Sequence, residues 1–514
     1  MKINDNCFGQ ILMTSNHTSH FMNHRSRSMD RIQQFLILWI ALAPAGSSAK
    51  DAEESRIKPF TENPHYWQYQ GEPVLLLGGS KDDSLFQIPD LREHLDELQA
   101  VGGNYIRNTM SDRPDFEFEV YAYAKLPDGK YDLDQWNDEY WLRFENLLKW
   151  TAERDIIVQI EVWDRFDYSD YRDNARWGMH PFNPKNNVNY SSQESGLAPS
   201  YADNHPSDDI QPFFHTVPGL EKYQKKYDLI RHRQERYVAK ILSYSLDYGN
   251  VLYCMNNETS TPAVWGKYWI EFIQAKANEK GVAVCTTDMF DDAYEADEAA
   301  NAPIVFKDAE HYTFADISQV NSRIYDEQHW ERLQWLLQQV DTHPRPSNHT
   351  KIYGSGYRSF GTGGPEDGVE RFWRNILGGS ASSRFHRPDS GNGLNDRAKA
   401  SIQAARLLES RIKFWEITPQ MNLLSERESN EAYLATNPGQ SYVIYFTNGG
   451  SVGLDLSEVS GTFDVTWISV AMGLTVETSA AGGYRLTDKT IEGGNVVTMS
   501  APYKGGWVAA IVKH

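Results

Sequence analysis

The stretch VLYCMNNETS, residues 251–260, combines an apolar run with a polar end. Val251 to Met255 are apolar or aromatic, and a short run of this kind is typical of a buried strand. The run then changes to Asn256, Asn257 and Glu258. A carboxylate carried to the end of a hydrophobic strand is partly desolvated, and desolvation raises a carboxyl pKa. The stretch therefore predicts a buried strand with a carboxyl group of raised pKa at its carboxyl end.

Similar β-rich runs alternate with amphipathic helical patterns over most of the chain. Leu91, Leu95 and Leu98, for example, share one face of a predicted helix that stops at Gly102. Repeated strand-then-helix units predict an α/β fold, a (β/α)8 TIM barrel with its helices outside. An open doubly wound sheet is the alternative, although no G-x-G-x-x-G or Walker-type loop follows any run. The predicted strands are 73–80, 104–110, 156–164, 251–258, 282–290, 314–321, 351–357 and 382–388, with 303–308 as another choice for the sixth.

Two regions depart from this alternation. Residues 165–225 are rich in Asn, Asp, Pro and Ser and follow the third predicted strand. Loops of such length are usually functional, and this one is expected to wall the barrel mouth. After about residue 420, short apolar runs alternate with turn residues, which predicts a small C-terminal antiparallel β-sandwich packed on the barrel. The predicted domains are an upstream extension with a signal peptide (1–49), the barrel (50–418) and the sandwich (419–514).

Composition narrows the function classes. The 514 residues carry a formal net charge of −20, which argues against nucleic acid or an anionic membrane as partner. Aromatic residues make up 13% of the chain, with 15 Trp and 28 Tyr, and aromatic faces stack on sugar rings. Most of them are expected to fill the core, but the composition favours a carbohydrate substrate.

The segment 29–50 has the pattern of an export signal. Arg31 provides a basic start, residues 35–43 an apolar core too short to span a bilayer, and 47–49 the small residues that a signal peptidase accepts. We expect a secreted or periplasmic protein without membrane insertion. Cys254 and Cys285 lie on neighbouring predicted strands and are expected to be buried thiols rather than a disulfide.

The carboxyl ends of parallel barrel strands meet at one mouth, where active sites are built. Glycosidic bond cleavage needs paired carboxylates, and Glu258 is interpreted as the general acid/base, with Asn257 holding a substrate hydroxyl. The other interpretation of Glu258 is a helix-capping residue. The further candidates for substrate binding are Arg107, Glu161, Trp163, Asp164, Asp288, His311, Tyr312, Arg358, Arg384, His386 and Arg387.

The chain resembles retaining clan-A glycoside hydrolases, (β/α)8 enzymes in which an Asn-Glu pair ends strand four. Asn257-Glu258 matches that motif, and YWQYQGEPVLLLGGS, GGNYIRNTM and GSASSRFHRP resemble secreted bacterial proteins of this group, some with a collagen-binding type of C-terminal domain. The resemblance implies a Glu nucleophile at the end of strand seven. KIYGSGYRSFGTGGPEDG has none there; Glu366 comes about ten residues later and is equally interpreted as a first-turn helix residue. Glu310 is the favoured second carboxylate, with Asp288, Glu161 and Asp164 as alternatives.

A basic set accompanies these acids: Lys81, Arg107, Arg165, Arg358, Arg384 and Arg387. These side chains either pair with acids inside the barrel or bind the carboxylates or sulfates of an anionic plant or algal glycan. A polysaccharide lyase on the same barrel and a non-catalytic carbohydrate-binding protein are the alternatives to a hydrolase. No metal motif is present, and no cofactor or metal is expected.

Overall fold

Eight parallel strands follow one another along the chain, with helical segments between them. The computed structural model describes residues 54–111, 118–168, 176–201, 211–290, 304–321, 324–354, 362–475 and 489–514. The barrel strands β1–β8 are Leu76–Gly79, Tyr105–Thr109, Ile157–Asp164, Val251–Asn257, Cys285–Thr287, Ala315–Asp316, Ser347–Asn348 and Ser382–Phe385. The long helices α1–α7 are Leu91–Ala100, Asp138–Ala152, Asp228–Ser245, Ala263–Lys280, Asp326–Val340, Pro365–Leu377 and Asp396–Glu409.

These strands close into a barrel. A continuous sheet runs in the order β5-β4-β3-β2-β1-β8, and β6 pairs in parallel with β7. Two backbone hydrogen bonds connect the sheets: Thr313 N donates to Thr286 O, and Ala381 N donates to Ser347 O, both at 2.9 Å. The (β/α)8 barrel predicted from the alternation is therefore confirmed. Its carboxyl ends share one mouth, as the fold requires.

Local sequence signals set the helix ends. Asn137 caps α2 by accepting a hydrogen bond from Glu139 N, and Asn395 caps α7 by accepting from Ala398 N. Gly281 ends α4 in the left-handed conformation (φ 76°) that favours glycine. Burial decides the strands instead: all eight residues of β3 and all seven of β4 are buried, as expected for parallel strands covered on both faces.

The predicted strand positions need two corrections. The stretch 303–308, considered for the sixth strand, contains the short helix Ile304–Lys307, and β6 lies within the other choice, 314–321. The seventh strand was predicted at 351–357, but β7 is Ser347–Asn348, before that stretch, and only Ile352 and Tyr353 continue it as isolated bridges. Polar Ser347 and Asn348 carry no apolar signal, so the pattern missed them.

Two antiparallel sheets form the C-terminal part. Its strands β9–β18 are Thr418–Pro419, Leu424–Ser425, Ala432–Asn437, Ser441–Phe446, Ser451–Asp455, Thr462–Ser469, Leu474–Thr475, Lys489–Glu492, Val496–Ser500 and Trp507–Lys513. The larger sheet has the order β9-β11-β12-β18-β14-β15, with β16 also on β14, and the smaller has the order β10-β13-β17. The predicted β-sandwich is confirmed, whereas the exact domain limits stay a prediction.

Side chains alternate across the larger sheet. Leu434 and Ile444 join the core between the two sheets, whereas Tyr433 and Tyr445 join the core of the barrel. The ring of Tyr445 stacks on Trp373 of α6 at a centroid distance of 5.5 Å. A period of two therefore gives the sheet two buried faces, and one of them packs against the barrel.

Smaller elements complete the described structure: the three-stranded sheet Lys58–Pro59, Trp67–Tyr69 and Glu72–Val74, and the hairpin Tyr123–Lys125 with Tyr131–Trp136. Cys254 and Cys285 are both buried, as expected. Among the described residues, no helix has both the length and the apolar character needed to cross a bilayer.

Candidate active site

Glu258 lies directly after β4, where the chain turns sharply. Its φ is 57°, a left-handed conformation that costs a non-glycine residue about 1–2 kcal/mol. Immediately after it, Thr259 N donates to Met289 O at 2.8 Å, which ties this turn to the chain beyond β5. Strained backbone of this kind persists only where its surroundings fix it, and it concentrates at functional sites.

The carboxylate of Glu258 is held by groups from three other strand ends. Lys351, just after β7, places its Nζ 2.6 Å from Oε1, and Tyr353 donates its hydroxyl to the same oxygen at 3.2 Å. Arg165, just after β3, lies 3.5 Å from Oε2, and Gln319, after β6, donates to Oε1 at 3.2 Å. The carboxylate therefore has four donors at the mouth.

This environment decides the protonation state of Glu258. Burial alone would raise its pKa, but Lys351 and Arg165 outweigh burial and lower the pKa of this carboxyl below its ordinary value. The raised pKa predicted from the hydrophobic strand is thus wrong. The strand buries the carboxylate, whereas cations from distant parts of the chain decide the direction of its pKa shift. Glu258 rests ionised, so it does not hold the proton that a general acid donates.

Arg107 of β2 organises the neighbouring part of the mouth. It is fully buried, and its guanidinium forks onto both carboxylate oxygens of Glu161, with Nε to Oε1 at 2.8 Å. Its Nη1 donates to Asp83 at 2.6 Å, and its Nη2, which also donates to Glu161, donates to Asn257 Oδ1 at 3.0 Å. Because Lys351 Nζ also donates to Asn257 Oδ1, at 2.5 Å, this amide oxygen joins the Arg107 and Glu258 groups into one network.

The eighth strand contributes three basic residues. Arg384 is buried and donates to Ser80 Oγ and to the carbonyl of Thr350, and burial lowers its pKa to about 9. Arg387 pairs with Asp83 and with Asp389, the latter at 2.7 Å. His386 is buried beside the ring of Tyr353, and burial holds its pKa well below the ordinary value, so the imidazole is neutral.

Ion pairing, one of the two interpretations, accounts for Arg107, Arg165 and Arg387, whereas Arg384 donates to neutral oxygens. Lys81 also has an acid partner, Asp90. Arg358 lies outside the described residues. The network that we call the mouth network consists of the carboxylates Asp83, Glu161 and Glu258, the cations Arg107, Arg165, Lys351 and Arg387, and the neutral Asn257, Gln319, Tyr353 and His386.

Glu310 and its neighbours lie before β6, not at its carboxyl end as predicted. Glu310 is exposed, and its carbonyl accepts from Gln274 of the outer helix α4 at 3.5 Å. His311 bridges Asp308 and Glu271, with Nδ1 and Nε2 at 2.9 and 3.2 Å. Tyr312 is fully buried in the core. None of the three has a contact with the mouth network among the described residues.

Glu366 likewise falls elsewhere. It occupies the first turn of α6, the second of the two interpretations, and pairs with Arg397 of α7 at 3.0 Å. Its side chain is 70% exposed. An acid in a first helical turn faces the positive end of the helix dipole, which explains its position without catalysis.

Two further candidates, Trp163 and Asp288, pack between the barrel and its helices. Trp163 is fully buried, with ring centroids of Trp269 and Tyr237 at 5.1 and 5.6 Å. Asp288 accepts two hydrogen bonds from the side chain of Asn256, at 2.9 and 3.0 Å, and a Cβ on Gly266 of α4 would lie 2.1 Å from its Oδ2.

Burial raises the pKa of Asp288 to about 7. Asp164 is buried and accepts from Phe166 N at 3.1 Å. Trp163 and Asp288 therefore have structural positions, contrary to the substrate-binding role expected for them, whereas the role expected for Asp164 stays a prediction.

The sequence interpretation did not propose four members of the mouth network as site residues. Asp83 and Gln319 follow strand ends, so their position in the sequence could have identified them as site residues. Lys351 directly precedes the apolar residues of KIYG, and a lysine at the start of an apolar strand indicates a buried cation. Among the described residues, no group of three or more His, Cys, Asp or Glu side chains is arranged to hold a metal ion.

Comparisons with known proteins agree with the barrel. No family model matches the sequence, and no curated protein matches it. Among solved structures, a glycoside hydrolase family 5 protein from Bacteroides vulgatus ATCC 8482 is similar at 11% identity and a TM-score of 0.58, over 90% of this chain and 94% of that one. A structure described as a glycoside hydrolase is similar at 11% identity and a TM-score of 0.55, over 90% and 98%. At this identity the likeness shows that the chain shares their overall fold.

Proposed function

We propose that the protein is a glycoside hydrolase that cleaves O-glycosidic bonds in a poly- or oligosaccharide. The observation that carries the proposal is Glu258, ionised and hydrogen-bonded at the carboxyl end of β4 directly after Asn257. Its side chain is 17% exposed, compared with 3% for Asp83 and 0% for Glu161, so it is the carboxylate of the mouth network most open to a substrate. The shared fold with glycoside hydrolase structures supports the same activity.

Glu258 acts in its ionised form. A carboxylate beside the anomeric carbon stabilises the positive charge that develops in an oxocarbenium-like transition state, and it either attacks that carbon or takes a proton from water. Lys351, Arg165 and Tyr353 orient it. They also keep it ionised, because each donates to a carboxylate oxygen.

Asn257 positions the sugar. Its Oδ1 already accepts from Arg107 and Lys351, so the amide is oriented with Nδ2 directed away from them. No hydrogen bond from Nδ2 occurs among the described residues, and this group is suited to donate to a substrate hydroxyl. Hydrogen bonds to the 2-hydroxyl strengthen in the transition state of glycoside cleavage.

The charge of the mouth network favours a neutral substrate. Arg107, Arg165, Lys351 and Arg387 each have a carboxylate partner, and Arg384 donates to Ser80 and Thr350. A lyase, or a hydrolase for sulfated glycans, needs a cation that is available to the substrate's acid group. Among the described residues at the mouth, every cation named here is already engaged, which favours hydrolysis of a neutral glycan.

Glu258→Gln tests the proposal, with Glu310→Gln and Glu279→Gln as matched controls at exposed acids on the outer surface. The purified proteins are incubated with neutral and sulfated oligosaccharides, and reducing ends and ultraviolet-absorbing unsaturated ends are measured. We expect Glu258→Gln to lose at least about 10²-fold in rate and the controls to keep wild-type rates. Circular dichroism checks that each variant is folded.

Two results would contradict the proposal. Wild-type turnover in a folded Glu258→Gln protein would remove this residue from the chemistry. Unsaturated products would indicate a lyase instead.

The export expected from residues 29–50, which lie outside the described residues, remains part of the proposal, and N-terminal sequencing of the mature protein tests it.

A further inference from the structure

A cavity of about 460 Å³ lies where the barrel meets the C-terminal sheets, lined by residues from both. We call it the junction cavity. Helices α6 and α7 provide one side, including Glu366, Glu370 and Ser401, and the larger sheet provides the other, including Tyr445. Its volume is within the roughly 300–1,000 Å³ typical of small-molecule sites. It is thus large enough for a short oligosaccharide, and it is separate from the mouth network.

Ser401 gives the first sign that this cavity binds a ligand. The residue is fully buried, and its hydroxyl has no hydrogen-bond partner within the part of the chain that the structure describes. A helical serine usually donates to the carbonyl four residues earlier, whereas this hydroxyl does not. Because a buried polar group without a partner is destabilising, a hydroxyl that lines a cavity in this state is suited to a polar ligand.

The two glutamates of the junction cavity are held in place by basic and amide side chains. Glu366 pairs with Arg397 at 3.0 Å, and Glu370 accepts from Arg374 at 3.1 Å and from Asn430 at 3.0 Å. Each carboxylate has more lone pairs than these partners use, so each can accept from further hydroxyl groups. Ion pairing holds the acceptors still, which lowers the entropy lost when a ligand binds.

The charge of the lining selects against anions. With Asp396, the lining contains three carboxylates and one guanidinium, Arg397. An anionic ligand would be repelled, and the described residues include no group of three or more acids, histidines or cysteines arranged for a metal ion. Val369, Val470 and Ala471 add apolar surface. Acceptors and hydroxyls beside an apolar wall match the two kinds of surface on a neutral sugar ring.

We propose that the junction cavity binds a short neutral oligosaccharide or the end of a neutral glycan chain. The site would hold the polymer against the barrel and the C-terminal sheets together. The proposal does not depend on hydrolysis at Glu258, because no residue of the mouth network lines the cavity. Glu366, first considered for catalysis, has a binding role here.

A blocking substitution tests the site. Ala471 is exposed and lines the cavity, so Ala471→Trp should fill it. The next residue, Met472, is 54% exposed and does not line the cavity, which makes Met472→Trp the matched control. Both are made in the full chain with Glu258→Gln to prevent turnover. Calorimetric titration with neutral xylo-, cello- and manno-oligosaccharides measures binding, and oligogalacturonides serve as the anionic probe.

We expect Ala471→Trp to weaken binding of at least one neutral series tenfold or more, and Met472→Trp to leave it unchanged. Ser401→Ala should weaken the same binding several-fold without lowering the thermal unfolding temperature. Absence of binding by every neutral series, equal binding by Ala471→Trp and its control, or preference for oligogalacturonides would overturn the proposal. Absence of hydrolysis in the wild type bears on Glu258 alone.

Discussion

Lys351→Met is the perturbation that most directly tests how the mouth network holds Glu258. Methionine keeps the length of the side chain and removes the charge. Lys351 is 1% exposed and lies 2.6 Å from Glu258 Oε1, so the pair is shielded from water on the lysine side. The substitution leaves Glu258 with Arg165 at 3.5 Å and with the neutral donors Tyr353 and Gln319.

The expected cost follows from this geometry. Removing one member of a buried ion pair destabilises a protein by about 3–5 kcal/mol, because the other charge stays buried. Arg165 still compensates Glu258 in part, which favours the lower end, about 3 kcal/mol. Asn257 also loses a donor to Oδ1, which adds about 1 kcal/mol. We therefore expect the free energy of unfolding to fall by about 3–4 kcal/mol.

Glu258 should also titrate at higher pH in this variant. Burial would raise its pKa, and Lys351 and Arg165 lower it, so the pair stabilises the wild type above the unfolded-state pKa. That contribution is lost as the pH falls through the folded-state pKa. Without Lys351, a cost of about 3 kcal/mol corresponds to an upward pKa shift of about two units. The acidic limb of the activity profile should move in the same direction.

Urea unfolding of four proteins measures the interaction: wild type, Lys351→Met, Glu258→Gln and the double variant. The double variant should recover about 2 kcal/mol relative to the sum of the single effects. Lys267→Met is the control, because Lys267 lies 2.5 Å from Asp308 on the outer surface, and its loss should cost about 1 kcal/mol or less. Additive effects of the two substitutions, with an unchanged acidic limb, would refute the reasoning.

Three other predictions concern buried groups outside the mouth network. Gly266→Ala should lower the free energy of unfolding by about 1–3 kcal/mol, since its Cβ would lie 2.1 Å from Asp288 Oδ2; chemical denaturation measures this. Burial raises the pKa of Asp288 to about 7, so its contribution to stability should be lost as the pH rises through 7, by up to about 4 kcal/mol, and Asp288→Asn should remove that part of the pH dependence. Burial lowers the pKa of His349 to about 3, so stability should fall as the pH drops below 6.5, less steeply in His349→Phe; parallel slopes for the variant and the wild type between pH 4 and 6 would contradict this.

The sequence was sufficient for the barrel because its strands are apolar and its helices amphipathic. β3 and β4 are buried throughout, and most of their residues are apolar. The misplaced strand, β7, is Ser347–Asn348, and both it and β6, which lies within its predicted range, have only two residues. Their register depends on neighbouring strands rather than on their own composition, so periodicity locates them to within a few residues at best.

The candidate site was predicted less completely, because side-chain partners come from distant parts of the chain. Asn257 and Glu258 were visible as polar residues after an apolar strand. The direction in which the Trp163 side chain points could not be predicted, because alternation along β3 does not show which residues face the helices. Glu310 and His311 were assigned to a strand end, but they lie on the other side of a short β6, next to outer helix α4.

The protonation state of Glu258 shows most clearly why local pattern is insufficient for assigning chemistry. An apolar strand in isolation implies a raised carboxyl pKa, and hence a general acid. In the folded barrel, β7 brings Lys351 to the same carboxylate and β2 brings Arg107 to the adjoining Asn257, so the sign of the shift is reversed. In the proposed hydrolase, a carboxylate that rests ionised would act as a nucleophile or a base toward the sugar, so a proton for the leaving group would have to come from another group.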